Sequence, residues 1–397
     1  MRDTIRIFYS ERPFLNAHLS SLPFLLYIHI PFCGQRCIYC DFYSTTQSRS
    51  LTRPYIKAVA HEIKCRASEL PSSTLTSVYV GGGTPSLLTG EAIKELFSAV
   101  HNNFQIAPKA EITFEANPDD ITPELIKNLI SQGVNRISLG IQSFNDEQLK
   151  LLHRRHSSHQ AQQAVKLIHE SGIPHISIDL IYGQPRQTLN LWTSDLVQAL
   201  SLPIDHLSAY ALSVEDNTPL SRLINTRKLT LPTDEETSEM FRALCEATRQ
   251  AGFQHYEISN FCKPDGRARH NSGYWKGTPY LGVGPGAHSY DGATRYSNPS
   301  QLSEYIAQNG IMERTTEHLT PDEQCNDYVF TSLRTSDGLH LPTLAARHGS
   351  ERANNILKWA APHISSKRLT YTNDTLSLTQ QGIFVSNDVI SDLMHIS

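Results

Sequence analysis

The sequence predicts an α/β fold built on a parallel sheet, with a small α+β segment appended at its C-terminal end. Three observations carry that expectation. First, six short runs rich in apolar and β-branched residues recur between residues 25 and 212: LLYIHI (25–30), SVYV (77–80), EITFE (111–115), RISLGI (136–141), HISIDLIY (175–182) and HLSAYAL (206–212). Such runs, separated by longer amphipathic stretches, belong to a parallel sheet covered by helices. Second, the stretches 53–68, 89–101, 122–132, 145–171 and 188–200 read as those helices. Starts such as Thr122-Pro123-Glu124 place a capping residue before a proline in the first turn. Third, the pattern changes at Pro321, to helices over 321–334, 341–348 and 350–360 and then a strand pair across 369–379. Six βα units fall short of a closed (β/α)₈ barrel, so an incomplete barrel and an open doubly wound sheet both fit the count.

The chain divides into an N-terminal arm (1–22), the βα unit (23–258, closed by a helical stretch at 234–251), a connector rich in Gly, Pro, Asn and aromatic residues (259–300), and a C-terminal domain (301–397). With 35 Lys and Arg against 39 Asp and Glu, the formal net charge of −4 creates no field that would gather nucleic acid. The C-terminal segment has a layout compatible with a winged helix but no basic cluster, so nucleic acid is not an expected partner. Seven cysteines form no disulfide framework, because the number is odd and Cys33, Cys37 and Cys40 crowd into eight residues. A reducing compartment is expected. The N-terminus mixes charge with its apolar residues, and no run reaches the length of a membrane span, so the expected location is cytoplasmic without an integral membrane segment.

The cysteines lie in YIHIPFCGQRCIYCDFYS, in a loop directly after the first strand, spaced C-x₃-C-x₂-C. Four-iron clusters are normally held by four thiolates, so three leave one iron free to bind a small molecule. The alternative is a zinc-stabilised binding module, which needs a fourth ligand such as His29 or a distant cysteine. Other polar residues gather at the ends of the strands, where a barrel collects its ligand-binding groups. Gly81-Gly82-Gly83-Thr84-Pro85 follows the second strand, Glu115 ends the third, Gln142 follows the fourth, and Asp179 lies inside the apolar fifth. A carboxylate buried among Ile and Leu needs a partner, so these positions point to one shared pocket.

The cysteine spacing, with Tyr39 just before the last cysteine, resembles the radical S-adenosylmethionine (SAM) superfamily. The resemblance implies a partial (β/α)₆ radical SAM barrel, a [4Fe-4S] cluster on Cys33, Cys37 and Cys40, and SAM chelated to the open iron, where an electron can cleave it to a 5′-deoxyadenosyl radical. GGGTP resembles the superfamily's glycine motif, which assigns Gly82, Gly83 and Thr84 to SAM. The blocks YIHIPFC, YVGGGTPSLL, FEANPDD, RISLGIQSFND, IDLIYGQP and YLGVGPGAHSY are similar to the oxygen-independent coproporphyrinogen III oxidase-like family. That likeness adds Tyr27, Tyr39, Glu115, Gln142, Arg154, Asp179 and Ala211 to the implied SAM contacts. The family's site can hold two SAM molecules.

Two features resemble the HemW group of heme chaperones within that family more than its porphyrin-biosynthetic dehydrogenases. Phe42 stands where the dehydrogenase type carries a fourth cysteine, and His270-Asn271-Ser272-Gly273-Tyr274-Trp275 is similar to the group's HNxxYW motif. An imidazole can ligate heme iron and flat aromatic rings can pack on a porphyrin. The resemblance thus makes His270 the expected heme contact, with Asn271, Tyr274 and Trp275 beside it. His255 and His288 are candidates for a second axial position. Cys262 could offer a thiolate but reads as a buried inert thiol. His153, His156, His159 and His169 read as surface residues of a polar helix, and Cys65, Cys245 and Cys325 as core. The implied function is heme binding and delivery to acceptor proteins, respiratory ones included, with membrane contact only through such a partner. The enzymatic alternative is radical decarboxylation of coproporphyrinogen III. Oligomeric state is open.

Overall fold

The computed structural model describes residues 24–47, 49–69 and 74–394, so the expected N-terminal arm lies outside the described residues. All six expected strands form: β1 (Phe24–Ile30), β2 (Thr74–Gly82), β3 (Gln105–Ala116), β4 (Arg136–Gln142), β5 (His175–Tyr182) and β6 (His206–Ala211). Each pairs in parallel with the next in chain order. A doubly wound sheet would reverse its strand order at a switch point. Unbroken order instead makes the singly wound partial barrel, with helices on one face of the sheet and a lumen on the other.

Short strands extend both edges. β7 (Gln254–Glu257) and β8 (Asn260–Cys262) continue antiparallel beyond β6. On the other edge, β9 (Tyr280–Val283) lies parallel to β1, and β10 (His288–Tyr290), β11 (Thr294–Ser297) and β12 (Thr315–His318) follow antiparallel. The stretch 259–300 therefore supplies strands to both edges as well as a helix, Arg269–Trp275. Elements of three or four residues are too short to show a hydrophobic period, and the Gly- and Pro-rich composition between them looks like loop.

The expected helix over 145–171 is two helices, Asp146–Leu151 and Ser158–Glu170. His153 adopts a left-handed φ of 59°, and Ser157 opens the second helix with a capping box to Gln160. The break carries Arg154 into the lumen. It also corrects the reading of His156, which is buried with Nε2 against the Ile141 carbonyl at 3.1 Å, while His153, His159 and His169 are exposed as expected.

The outer faces of the strands pack against the helices in one apolar core. Trp192 is fully buried within it and donates from Nε1 to the Met240 carbonyl at 2.8 Å, which locks helix Leu189–Ser201 to helix Asp234–Gln250. A separate core, including Val329, Leu344, Ile356, Leu376 and Val389, joins helices Pro321–Leu333, Leu341–His348 and Ser350–Ser365 to a small sheet. Its strands, β13 (Leu339–His340), β14 (Leu369–Thr372) and β15 (Thr375–Leu378), run in the order β13-β15-β14. Cys325 is buried in this core and Cys262 is buried on β8, but Cys65 is exposed, contrary to expectation. It lies on the solvent side of helix Thr52–Arg66, where a small thiol does not disturb the apolar pattern.

Glu62 ties that helix to the far edge of the sheet. Its carboxylate accepts from Arg66 Nε (2.7 Å), Gly284 N (2.8 Å), Asn298 Nδ2 (2.9 Å) and Tyr305 OH (2.6 Å), all within the buried interior. Glu62→Ala would leave these donors unmatched, and we expect it to cost about 3–5 kcal/mol. Denaturant titration checks this, and a loss below about 1 kcal/mol would show that the cluster is no more than a surface-grade ion pair.

Candidate functional site

Because side chains alternate along a strand, every second residue of β1–β6 faces the lumen. These residues and the loops after the strands enclose a cavity of about 720 Å³. Its mouth carries the cysteine loop. The loop is stapled at its base by Cys33 N to Thr45 O (2.9 Å) and Thr45 N to Pro31 O (2.7 Å). Cys33, Cys37 and Cys40 are half-buried free thiols that all line the cavity. Thr84 Oγ1 donates to Cys33 Sγ (3.5 Å) and Arg154 Nη1 to Cys37 Sγ (3.2 Å), so two of the sulfurs face groups that favour thiolate. Burial acts against ionisation, pushing Cys33 up and Cys40 to about 11, and a bound cation would reverse this.

As placed, no three His, Cys, Asp or Glu side chains among the described residues converge on one metal position, but by chemistry three thiols suit an open cluster better than closed zinc. Both ring nitrogens of His29 are occupied, Nδ1 by Tyr27 OH (2.9 Å) and Nε2 by the Tyr43 carbonyl (2.8 Å). The other four cysteines lie away from the cavity. No further cysteine or free imidazole therefore joins the three thiols at the mouth among the described residues.

The glycine motif is pressed against this loop. Gly83 N donates to the Ile30 carbonyl at 2.7 Å, and a Cβ at Gly83 would sit 2.7 Å from the Phe32 carbonyl oxygen. Gly82 has φ of 111°, and a Cβ there would lie 2.5 Å from the His29 ring. Glycine is thus demanded at both positions by the protein's own atoms, while Gly82, Gly83 and Thr84 also line the cavity.

Charged and polar side chains ring the wall below the cysteines. Glu115 accepts from Tyr79 OH (2.6 Å) and Gly82 N (2.9 Å), and burial raises its pKa. Arg154 Nη2 is held at 2.5 Å by both Asn117 Oδ1 and the Gly140 carbonyl, which leaves its buried Nε without a protein partner among the described residues. Asp179 faces Ser138 Oγ at 3.3 Å and also accepts from Ser208. Burial first, and then the charge of Glu115, push its carboxyl up to about 7. Gln142 ends β4 with a left-handed φ of 72° and accepts from Gln184 Nε2 at 3.1 Å. Tyr27, Tyr39 and Ala211 complete the rim and upper wall.

At the N-terminal ends of the strands, helix Arg269–Trp275 closes the floor. Glu111 holds its first turn, accepting from Arg269 N and His270 N, each at 2.9 Å, and pairs with Arg136 Nε at 3.0 Å. His270 and Asn271 line the floor and Tyr274 the wall, but Trp275 is outside the cavity lining. Both His270 nitrogens are occupied, Nδ1 by Ser77 Oγ (2.6 Å) and Nε2 by Tyr274 OH (2.8 Å). Burial lowers its pKa to about 3, so the ring is neutral. Of the other candidate axial ligands, His255 stacks on Phe261 and donates from Nε2 to the Ile258 carbonyl (3.1 Å), and His288 is exposed on β10; neither lines the cavity.

Residues 27–193 match the model of the Radical SAM superfamily. The chain is 36% identical over 384 residues to a Mycobacterium tuberculosis protein named heme chaperone HemW, covering 95% of this chain and 96% of that one. The chain belongs to the HemW family. A Bacillus subtilis relative of the same name is 33% identical, with 91% and 97% of the two chains covered. The fold is that of the solved coproporphyrinogen III oxidase (HemN) from Escherichia coli, described as a radical SAM enzyme, with a TM-score of 0.82, 25% identity, and 96% and 92% of the two chains covered. Membership in the radical SAM superfamily implies a [4Fe-4S] cluster and SAM. No helix among the described residues is long and apolar enough to cross a membrane.

Sequence reasoning missed Tyr79, Glu111, Thr113, Asn117, Arg136 and His206, all of which line the cavity. Glu111 and Arg136 head apolar runs, where a charge reads as a solvent-exposed strand start. Their spacing from the neighbouring lumen residues, Thr113, Glu115 and Ser138, was the available signal.

Asp179 sets a pH dependence. Its folded value near 7 lies above the ordinary carboxyl value, so the native state keeps a proton that the unfolded chain releases. Stability then falls as pH rises from about 4 to 7, by up to about 4 kcal/mol. Asp179→Asn should flatten that part of the profile and exceed the wild type above pH 7. Superimposable profiles from denaturant titration would contradict the assignment.

Proposed function

We propose that the protein binds heme in the barrel lumen and passes it to heme-accepting proteins, with a [4Fe-4S] cluster on Cys33, Cys37 and Cys40 and SAM beside it. The observation that carries this reading is the sharing of one cavity by the cysteine loop and the His270-Asn271-Tyr274 face. The names of the relatives support it. When bound, the cluster and SAM supply one-electron chemistry. Arg154 offers a cation for a carboxylate, and Glu115 and Asp179 offer acceptors for an amine or ribose.

His270 is neutral because it is buried, which is the form of imidazole that ligates iron. To do so through Nε2 it must release the Tyr274 hydroxyl. The latch gives the cargo contact two states, closed on tyrosine and open to iron.

A second reading, porphyrinogen decarboxylation, draws on the likeness to the solved oxidase. Phe42, exposed at the mouth where that enzyme type has a cysteine, favours the chaperone.

Anaerobically reconstituted protein titrated with heme should show a Soret shift that weakens in His270→Ala. Removing the latch with Tyr274→Phe should tighten binding, by about fivefold for one hydrogen bond. Unchanged spectra and affinities in both variants would discard His270 as the contact. Sustained carbon dioxide release from coproporphyrinogen III, SAM and a reductant would overturn the chaperone reading in favour of the oxidase.

A further inference from the structure

The floor of the lumen contains two donors that the fold itself leaves unused. Arg136 is 2% exposed and spends Nε on Glu111 (3.0 Å) and Nη2 on the Gly266 carbonyl (2.8 Å). Its Nη1 has no protein partner among the described residues. Thr113 is 1% exposed, and its Oγ1 likewise has none. The two residues are direct neighbours across β3 and β4, so their side chains leave the sheet on the same face, and both line the cavity. A buried donor without an acceptor is costly, and native folds rarely keep two side by side.

The surroundings define what such a site would accept. Glu111 bonds neither free donor; its oxygens receive Arg136 Nε, Arg269 N and His270 N. His206 and His270, the imidazoles on the same floor, are kept neutral by burial and are bonded to Ser177 Oγ (2.7 Å) and Ser77 Oγ (2.6 Å). A guanidinium N–H beside a hydroxyl matches a carboxylate, which has the lone pairs to accept from both and a charge to oppose the arginine.

We infer that Arg136 Nη1 and Thr113 Oγ1 form a carboxylate subsite on the barrel floor. Arg136 opens β4 and Gln142 ends it, which puts on the order of 20 Å of strand between this subsite and the level of the mouth. The subsite is therefore distinct from the groups gathered around the cysteines. Resting on the heme reading, the carboxylate is a propionate of the porphyrin, and the floor orients the cargo with that edge downward. A free small carboxylate has the same chemistry and is the alternative source.

Thr113→Val tests this without disturbing the fold, since it deletes only a hydroxyl that has no protein partner and leaves the Glu111–Arg136 pair intact. Three probes are used on the full chain: heme, heme dimethyl ester and propionate. The variant should unfold at the same temperature as the wild type or higher. Its affinity for heme should fall by about five- to tenfold, the scale of one hydrogen bond to a charged group. Its affinity for the dimethyl ester, which has no free carboxylate, should stay unchanged. Heme and ester bound equally well by wild type and variant alike would overturn the subsite while leaving heme binding in place. If no porphyrin binds, the heme reading fails, and propionate then decides: a thermal shift in the wild type that Thr113→Val abolishes supports a small-carboxylate site, and no shift in either means that these donors hold water only.

Discussion

The fold depends on keeping charge inside a barrel whose outer wall is apolar. Glu111, Glu115, Arg136, Arg154 and Asp179 all face one lumen, and each would be expensive there alone. The strand register distributes the cost. Glu111 and Arg136 neutralise each other on the floor, Glu115 is satisfied by Tyr79 and the Gly82 backbone, and Arg154 is caged by oxygen acceptors next to a cysteine sulfur. Asp179 is the least compensated and answers by holding its proton. A lumen arranged in this way is prepared for ligands that carry both signs of charge.

The two ends of the lumen are built differently. The mouth is a loop that projects three thiols and leans on glycines because nothing larger fits between it and β2. The floor is a short helix whose first turn is held by a carboxylate from a strand remote in sequence, and whose histidine is latched on both nitrogens.

Much of this was legible in the sequence because the informative residues sit where the strand period changes. The six parallel strands announced themselves as apolar runs, the cysteine triplet by its spacing, and Glu115, Gln142 and Asp179 by being polar at or inside strand ends. The family resemblance chose the barrel over the doubly wound sheet, and strand pairing in unbroken chain order accounts for that choice physically. Less legible were features set by distant partners. Nothing local to Glu111 shows that it will meet Arg136, Arg269 and His270, and nothing local to His156 shows that the Ile141 carbonyl will draw it into the interior. The break at His153 was hidden because polar residues on both sides continue a helical composition, and only the left-handed backbone and the capping box at Ser157 reveal it.

The proposed function rests on Cys33, Cys37 and Cys40 ligating a four-iron cluster and leaving one iron open beside the glycine motif. Electron paramagnetic resonance of the reduced, reconstituted protein tests this most directly. A spectrum of one reduced cubane that changes on addition of SAM is the result expected here. A cubane signal indifferent to SAM, or no iron signal from protein that carries zinc, would contradict it.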